Sequence, residues 1–397
     1  MTTTRWYFAS VVALFAAMAV VSLSACGAES DPGDDGAATA EPYRIGAVLS
    51  LSGTYAGLGE PEKNTIEMEV ERINDAGGVH GRPIEVIIVD DATDAETAVA
   101  VTTRLIEQDQ VIALIGATGT GATMAMRQEV DRAGIPQVSI AGGTVITADF
   151  HPLVFQTAWS NSLVVPFTLR YLEEQGVQKV ALIADSGGFG ADGVAVIKDL
   201  IGATSLELVA EESFNPGDTD MTAQLTKIKT SGAEAVLMWN AGREAATVAK
   251  NMAALDLGIQ LVGSHGNARL EFIEGAGPAA EDFVFAAGKV LVPEAYAPGS
   301  DEQVVATDFI ERYTERYGVA PDTFAGHAYD GLYLVVEAMK RLPEEFTAEE
   351  LRDEIESTNG FVGIGGVFTF SPTDHNGLSD DDLVMYRVSG GVWTLEK

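Results

Sequence analysis

The chain has 397 residues, 46% of them apolar, and carries 24 Lys and Arg against 59 Asp and Glu, a formal net charge of −35. A surface this acidic repels phosphate backbones and anionic headgroups, which argues against nucleic acid or an anionic lipid face as a partner while leaving room for a local anion site built from donors. A single cysteine permits no intrachain disulfide, and the five histidines fall at no metal-ligand spacing, so no metal or other cofactor is expected.

The N-terminus reads MTTTRWYFASVVALFAAMAVVSLSAC: one arginine (Arg5), a nearly uncharged run from Trp6 to Leu23, then small residues ending at Cys26. That is the pattern of a secretory signal over 1–25. The string Leu23-Ser24-Ala25-Cys26 resembles the lipobox of bacterial lipoproteins, which implies acylation of Cys26 and a lipid anchor outside the cytoplasm. Residues 26–42, rich in Gly, Ala, Asp and Pro, cannot bury enough surface to fold and read as a tether. The remainder, Tyr43 to Lys397, is long for one core and predicts two domains.

From Tyr43, short apolar runs alternate with helical patterns: YRIGAVLSL, EPEKNTIEMEVERINDAGG, IEVIIVDD, AETAVAVTTRLIEQD, VIALIGA, GATMAMRQEVDRAG. The order starts again at KVALIAD, with helices expected over 190–202, 219–231 and 243–257 between strands LELVAEESF, AEAVLMWN and IQLVGSH. This βαβ alternation predicts an α/β chain with two doubly wound parallel sheets in tandem. Beyond Gly288 come helical patterns DEQVVATDFIERYTERYG, TFAGHAYDGLYLVVEAMKRL and TAEELRDEIEST. The chain closes with strand-like GGVFTF, LVMYRV and VWTLEK, the last pair joined by Ser-Gly-Gly. The pattern does not say which domain owns this tail.

Two enzyme signatures overlap in IADSGGFGADG. Gly188-x-Gly190-x-x-Gly193 between strand and helix, with Glu207 downstream, is the spacing of a dinucleotide fingerprint. It stands in an exported chain without a hydride-transfer constellation, and is set aside. DSGG around Ser186 is found at protease nucleophiles, but those need a largely β fold and a distant His and Asp. No P-loop and no Gly-x-Ser-x-Gly elbow occurs.

The order of elements and ten strings in sequence, among them IGAVLSLSGTYAGLG, VIALIGATGTG, GIPQVSIAGGT, VALIADSGGFGADG, LVGSHGNA and TFAGHAYDGLYLVVEAM, resemble the leucine/isoleucine/valine-type solute-binding proteins of ABC importers. The resemblance implies a type I periplasmic binding fold: two lobes, about 43–160 plus 288–376 and 161–287 plus 377–397, joined by three crossings, with the ligand in the cleft between them. It implies a monomer that captures a small carboxylate, a branched-chain amino acid or a related aromatic or aliphatic acid, and hands it to a permease and its ATPase. The alternative is a sensing module that reports a ligand to a membrane partner without transport.

Glycine-rich GATGTGAT opens a helix after a strand, where free backbone N–H groups and the helix dipole favour an anion. The resemblance places the ligand carboxylate there, on Thr118 and Thr120, and on the turn of Ala141, Gly142, Gly143 and Thr144. The plainer reading makes Thr120 a helix cap. Trp159 falls at the first lobe crossing and is a candidate for the cleft. The resemblance implies a ligand-facing polar residue at Asn161 and a ring against the ligand at Phe189, with Trp239 and Phe324 similarly placed, though an aromatic there also serves as core, Trp239 above all. His265 departs from the family pattern, which commonly has a Glu there for the ligand ammonium. A buried ammonium without a carboxylate is costly, so His265 points toward acids lacking the amino group unless Asp185, Glu60 or Asp330 supplies the charge. His327 and Asp330, at i and i+3 on a helix, read as a surface or junction hydrogen bond rather than a ligand pair.

Overall fold

The computed structural model describes residues 41–396; the signal, Cys26 and nearly all of the tether lie outside the described residues. The first sheet is made by β1 (Tyr43–Leu49), β2 (Ile84–Asp90), β3 (Ala113–Gly116), β4 (Gln137–Ser139) and β5 (Val154–Gln156). Its crossovers are α1 (Ala56–Asp75), α2 (Ala95–Glu107), α3 (Thr120–Ala133) and the short α4 (Val145–Ala148). The strands are parallel, in the order β2-β1-β3-β4-β5. β1 and β3 bury nearly every residue, as sheets covered by helices on both faces require.

The chain then enters α5 (Asn161–Glu174), β6 (Lys179–Asp185), α6 (Gly188–Ile201), β7 (Glu207–Phe214), α7 (Thr222–Lys229), β8 (Ala235–Trp239), α8 (Glu244–Ala254), β9 (Gln260–Gly263), α9 (Leu270–Ala276) and β10 (Val284–Gly288). Strands β7-β6-β8-β9-β10 repeat the winding of the first sheet. In both sheets the order reverses beside the first strand, the place where open α/β sheets leave a crevice at their carboxyl ends.

Three helices follow, α10 (Asp301–Tyr317), α11 (Thr323–Arg341) and α12 (Ala348–Glu356), then a separate two-stranded ribbon, β11 (Asn359–Val362) with β12 (Val367–Thr369). α11 is buried along almost its whole length and packs on α1 and β3. Its Tyr333 hydroxyl donates to the fully buried Glu69 of α1 at 2.7 Å, and Arg312 of α10 pairs with the same carboxylate. Only the last two strands of the tail join the second sheet: β13 (Leu383–Ser389) runs antiparallel to β10, and β14 (Val392–Leu395) antiparallel to β13, adding a hairpin edge to an otherwise parallel sheet.

α6 begins at Gly188, two residues before the helix expected at 190, because the glycines are inside it. Their purpose is close packing. A Cβ on Gly193 would stand 1.9 Å from Trp239 Cδ1, and one on Gly188 2.7 Å from the Gly121 amide nitrogen of α3. The fingerprint spacing therefore lays a helix on an indole and against a facing helix start.

Candidate functional site

Residues just past the carboxyl ends of strands in both sheets converge on one small cavity. From the first sheet come Thr118, Gly119 and Thr120 after β3, Ile140 to Gly142 after β4, and Ala158 after β5; from the second come Phe189, Ala241, His265 and Gly266. Tyr55 and Leu58 of the α1 start and Phe324 and His327 of the α11 start close it. Its volume is about 20 Å³, room for about one water, so a guest the size of a carboxylic acid enters only if the facing walls part. A larger hollow of about 530 Å³ lies at the amino ends of β9 and β10, the wrong end of the sheet for a crevice site.

One wall is the start of α3. Its N-cap is Gly119, with no side-chain cap, and the buried Thr120 Oγ1 has no hydrogen-bond partner. Thr120 therefore does not cap its helix and keeps a hydroxyl free to donate. Thr118 is different: its Oγ1 accepts from the Ser50 amide at 2.9 Å and donates to Glu62. Burial holds the Glu62 carboxyl well above the usual carboxylate range. The Thr118 proton is thus committed inward, leaving only a lone pair for anything in the cavity.

The opposite wall is aromatic and uncharged. His265 meets Phe189 edge to face at 5.1 Å, and His327 meets Phe324 at 6.0 Å and Trp159 at 4.8 Å. Burial pushes both imidazoles down to about 3, so both are neutral near pH 7. The Trp159 backbone lies near the His265 ring, but neither ring nitrogen completes a well-formed hydrogen bond, and His327 Nδ1 has no partner. Unpartnered buried polar atoms each cost about 1–3 kcal/mol, and folded proteins seldom keep several together.

No carboxylate lines the cavity. Asp330 is spent on the Ile364 and Gly365 amides, 2.6 and 2.7 Å away, with its carboxyl pushed up by burial to about 8. Asp185 accepts from the Gly187 amide at 2.7 Å and burial raises it to about 7. Glu60 lines a separate surface hollow. His327 carries its own ring to the cavity and makes no junction bond with Asp330.

Of the positions singled out from the sequence, Thr118, Thr120, Ala141, Gly142, Phe189, His265 and Phe324 meet at the cavity, whereas Gly143, Thr144, Trp159, Asn161 and Trp239 stand behind it. Gly143 lies against the Thr120 side chain, where a Cβ would come within 2.3 Å of Thr120 Cγ2. The Thr144 and Val145 amides, 2.7 and 3.0 Å from Asp192 of α6, already hold a carboxylate that belongs to the protein. Asn161 is consumed at both ends of its amide, donating to Asp192 at 2.7 Å and accepting from Trp239 Nε1 at 2.8 Å. Trp159 donates to the Gly365 carbonyl at 3.0 Å and packs on Gly288. Tyr55, Leu58, Ile140, Ala158, Ala241 and His327 were not anticipated; only His327 left a signal, since it lies one helical turn from Phe324 on the same face.

A family model described as periplasmic binding protein matches residues 42–391. The leucine-, isoleucine-, valine-, threonine- and alanine-binding protein of Pseudomonas aeruginosa is 23% identical over 356 residues, 88% of this chain and 90% of that one. Among solved structures, the branched-chain amino acid transporter substrate-binding protein of Streptococcus pneumoniae in complex with isoleucine superposes with TM-score 0.79 at 27% identity, covering 90% of this chain and 98% of that one. An ABC transporter solute-binding protein from R. palustris in complex with benzoate does so with TM-score 0.77 at 24% identity, covering 89% and 95%. Among the described residues no helix is long and apolar enough to cross a membrane.

Proposed function

The chain belongs to the periplasmic binding protein family, and from that premise we propose that it captures a small carboxylic acid outside the cytoplasm and delivers it to an ABC permease, anchored through Cys26. Binding rather than chemistry is the mechanism. The ligand bridges a lobe built from about 43–160 plus 288–376 and one built from 161–287 plus 377–397, and shifts an open–closed equilibrium toward the closed form.

The observation that carries this reading is the set of unpartnered buried polar atoms around one cavity: the Thr120 hydroxyl at an uncapped helix start, facing two neutral imidazoles across apolar walls. A carboxylate at the α3 start accepts from Thr120 and the first free amides of the helix. His265 and His327, neutral, suit a hydroxyl or carbonyl and offer no charge to an ammonium. The same fold holds isoleucine in one solved structure and benzoate in another, so the choice rests on side chains, and these favour an aromatic or aliphatic acid without an amino group over leucine or valine.

A thermal-shift screen that sets branched-chain and aromatic amino acids beside their des-amino counterparts tests this. The expected result is a larger upward shift with the des-amino acids. A strong shift with leucine or valine, and none with the acids, overturns the ligand class; no shift with any of them overturns the site.

A further inference from the structure

Next to the cavity, and outside it, lies a chamber of about 200 Å³ bounded by Gly53 to Gly57 at the start of α1 and by Gly242, Arg269 and Glu271 after β8 and β9. The guanidinium of Arg269 is its most unusual component. The residue is 3% exposed, its Nε has no partner, and among the described residues its side chain makes no ion pair and no hydrogen bond. A buried cation without a counter-charge in contact is one of the costliest arrangements a fold can hold. Burial pushes Arg269 down from its ordinary value, and Glu271, Asp322 and Glu244 act on it only from beyond ion-pair range.

The surroundings repeat the request for an anion. α8 begins at this chamber without a side-chain cap, with its own buried Glu244 in the first turn, and α1 enters it from the 3-10 turn Gly53–Tyr55, also uncapped, so both helices turn positive dipole ends toward the same space. Arg243, exposed at the α8 start, adds a second cation at the rim. Small residues leave room here: a Cβ on Gly57 would stand 3.0 Å from an Arg269 guanidinium nitrogen and 3.4 Å from a Glu271 carboxylate oxygen. Glu271 is the one opposing charge on the wall.

We infer that Arg269 is the centre of a second anion subsite, which takes a compact oxyanion between the α1 and α8 starts. Two sources share that chemistry: a second acidic group on the cleft ligand, which makes the ligand a diacid, or an independent inorganic oxyanion. The diacid form rests on the carboxylate-binding reading proposed above; the independent form does not.

The test uses the full chain and its Arg269→Gln and Arg269→Lys variants. Calorimetry compares α,ω-dicarboxylates with monocarboxylates of equal length, and thermal shifts are read with sulfate and with inorganic phosphate alone. For a diacid, at least one dicarboxylate binds the wild type about tenfold or more tightly than its monocarboxylate, the worth of one charge-assisted bond. Arg269→Gln removes that advantage without changing monocarboxylate affinity, and Arg269→Lys keeps part of it. For an independent oxyanion, sulfate or phosphate stabilises the wild type and not Arg269→Gln. Equal affinities for the two acid series, together with sulfate and phosphate shifts that are the same in wild type and variants, overturn the inference. Should Arg269→Gln fail to fold, the wild-type comparison and Arg269→Lys decide. Should no monocarboxylate bind, the α3 placement fails by itself, while the sulfate and phosphate arm still judges Arg269.

Discussion

The carboxylate of Asp192 accepts the Thr144 backbone N–H at 2.7 Å, joining α6 of one sheet to the turn after β4 of the other. With the Val145 amide and Asn161 it makes three hydrogen bonds at once and is nearly buried. It takes the Thr144 amide, one of the donors on the Ala141 to Thr144 turn that a ligand carboxylate was expected to use. Asp192→Asn turns an amino group toward an N–H and loses at least one charge-assisted bond, worth about 1.5–3 kcal/mol. The expected outcome is an affinity about tenfold weaker with the order of ligand preference unchanged, measured by calorimetry, and a wider ligand-free envelope in solution scattering. An unchanged affinity means the contact plays no part in closure.

Thr118 and Thr120 separate by role. Thr120→Val removes a free donor and should weaken binding of a carboxylic acid about tenfold while leaving the melting temperature nearly unmoved. Thr118→Val strips partners from the Ser50 amide and from Glu62, and should cost about 1–3 kcal/mol of stability instead. Parallel calorimetry and thermal unfolding distinguish the two; equal affinity in the Thr120 variant refutes the carboxylate placement.

His265→Glu puts a carboxylate where the cavity has none. Affinity for leucine or valine should rise relative to the matching des-amino acid, by about tenfold, because an ammonium gains the partner it needs and an acid gains a like charge. A ratio unaltered by the exchange shows that position 265 does not read the amino group.

The pH dependence of stability has two opposed contributions. His265 and His327 are depressed to about 3, so between the ordinary histidine value and 3 the unfolded chain binds protons the native one refuses, and acidification destabilises. Asp185 and Asp322 at about 7 and Asp330 at about 8 are raised, so the native state holds protons the unfolded one has lost, and stability declines as pH rises through 7 to 8. Between the ordinary carboxylate value and the ordinary histidine value the two slopes oppose each other. Three raised carboxyls outweigh two depressed imidazoles, so the melting temperature should be highest at the acidic end of that interval, fall on acidification below it, and decline as pH rises toward 8; a steady rise from pH 6 to 8 contradicts these assignments.

Gly193→Ala forces a methyl into Trp239, 1.9 Å away, and should destabilise by about 1–3 kcal/mol. Adding NAD should not alter the melting temperature of either protein. A nucleotide-dependent shift abolished by the substitution revives the dinucleotide reading.

The alternation of apolar runs and helical periods was enough to read both parallel sheets, because each buried strand is continuous and each crossover amphipathic. It failed where elements are short or their partners distant. The three-residue β4 and β5 are too brief for a period, and β13 finds β10 across a long sequence gap that no local pattern encodes. At the cavity, residues in glycine-rich turns were legible from strand–turn–helix context. Asn161 and Trp239 stand at a helix start and a strand end, where a sequence reads a cleft or a core equally well, and only the three-dimensional position of Asp192 shows that their polar atoms are already used. Arg269 gave no sign, since nothing in NARLE distinguishes a buried arginine from a solvated one.

The terminal hairpin also sets an order of events. β10 is covered on its outer edge by β13, which lies far downstream in the sequence, so the second sheet cannot be completed before that segment has been made. A chain stopped near residue 376 would present the bare, wholly apolar edge Val284–Gly288, a ready template for pairing with another molecule. Truncation before β13 is therefore expected to yield aggregates rather than a smaller folded protein, and a tag is better borne beyond Leu395 than inserted before Leu383.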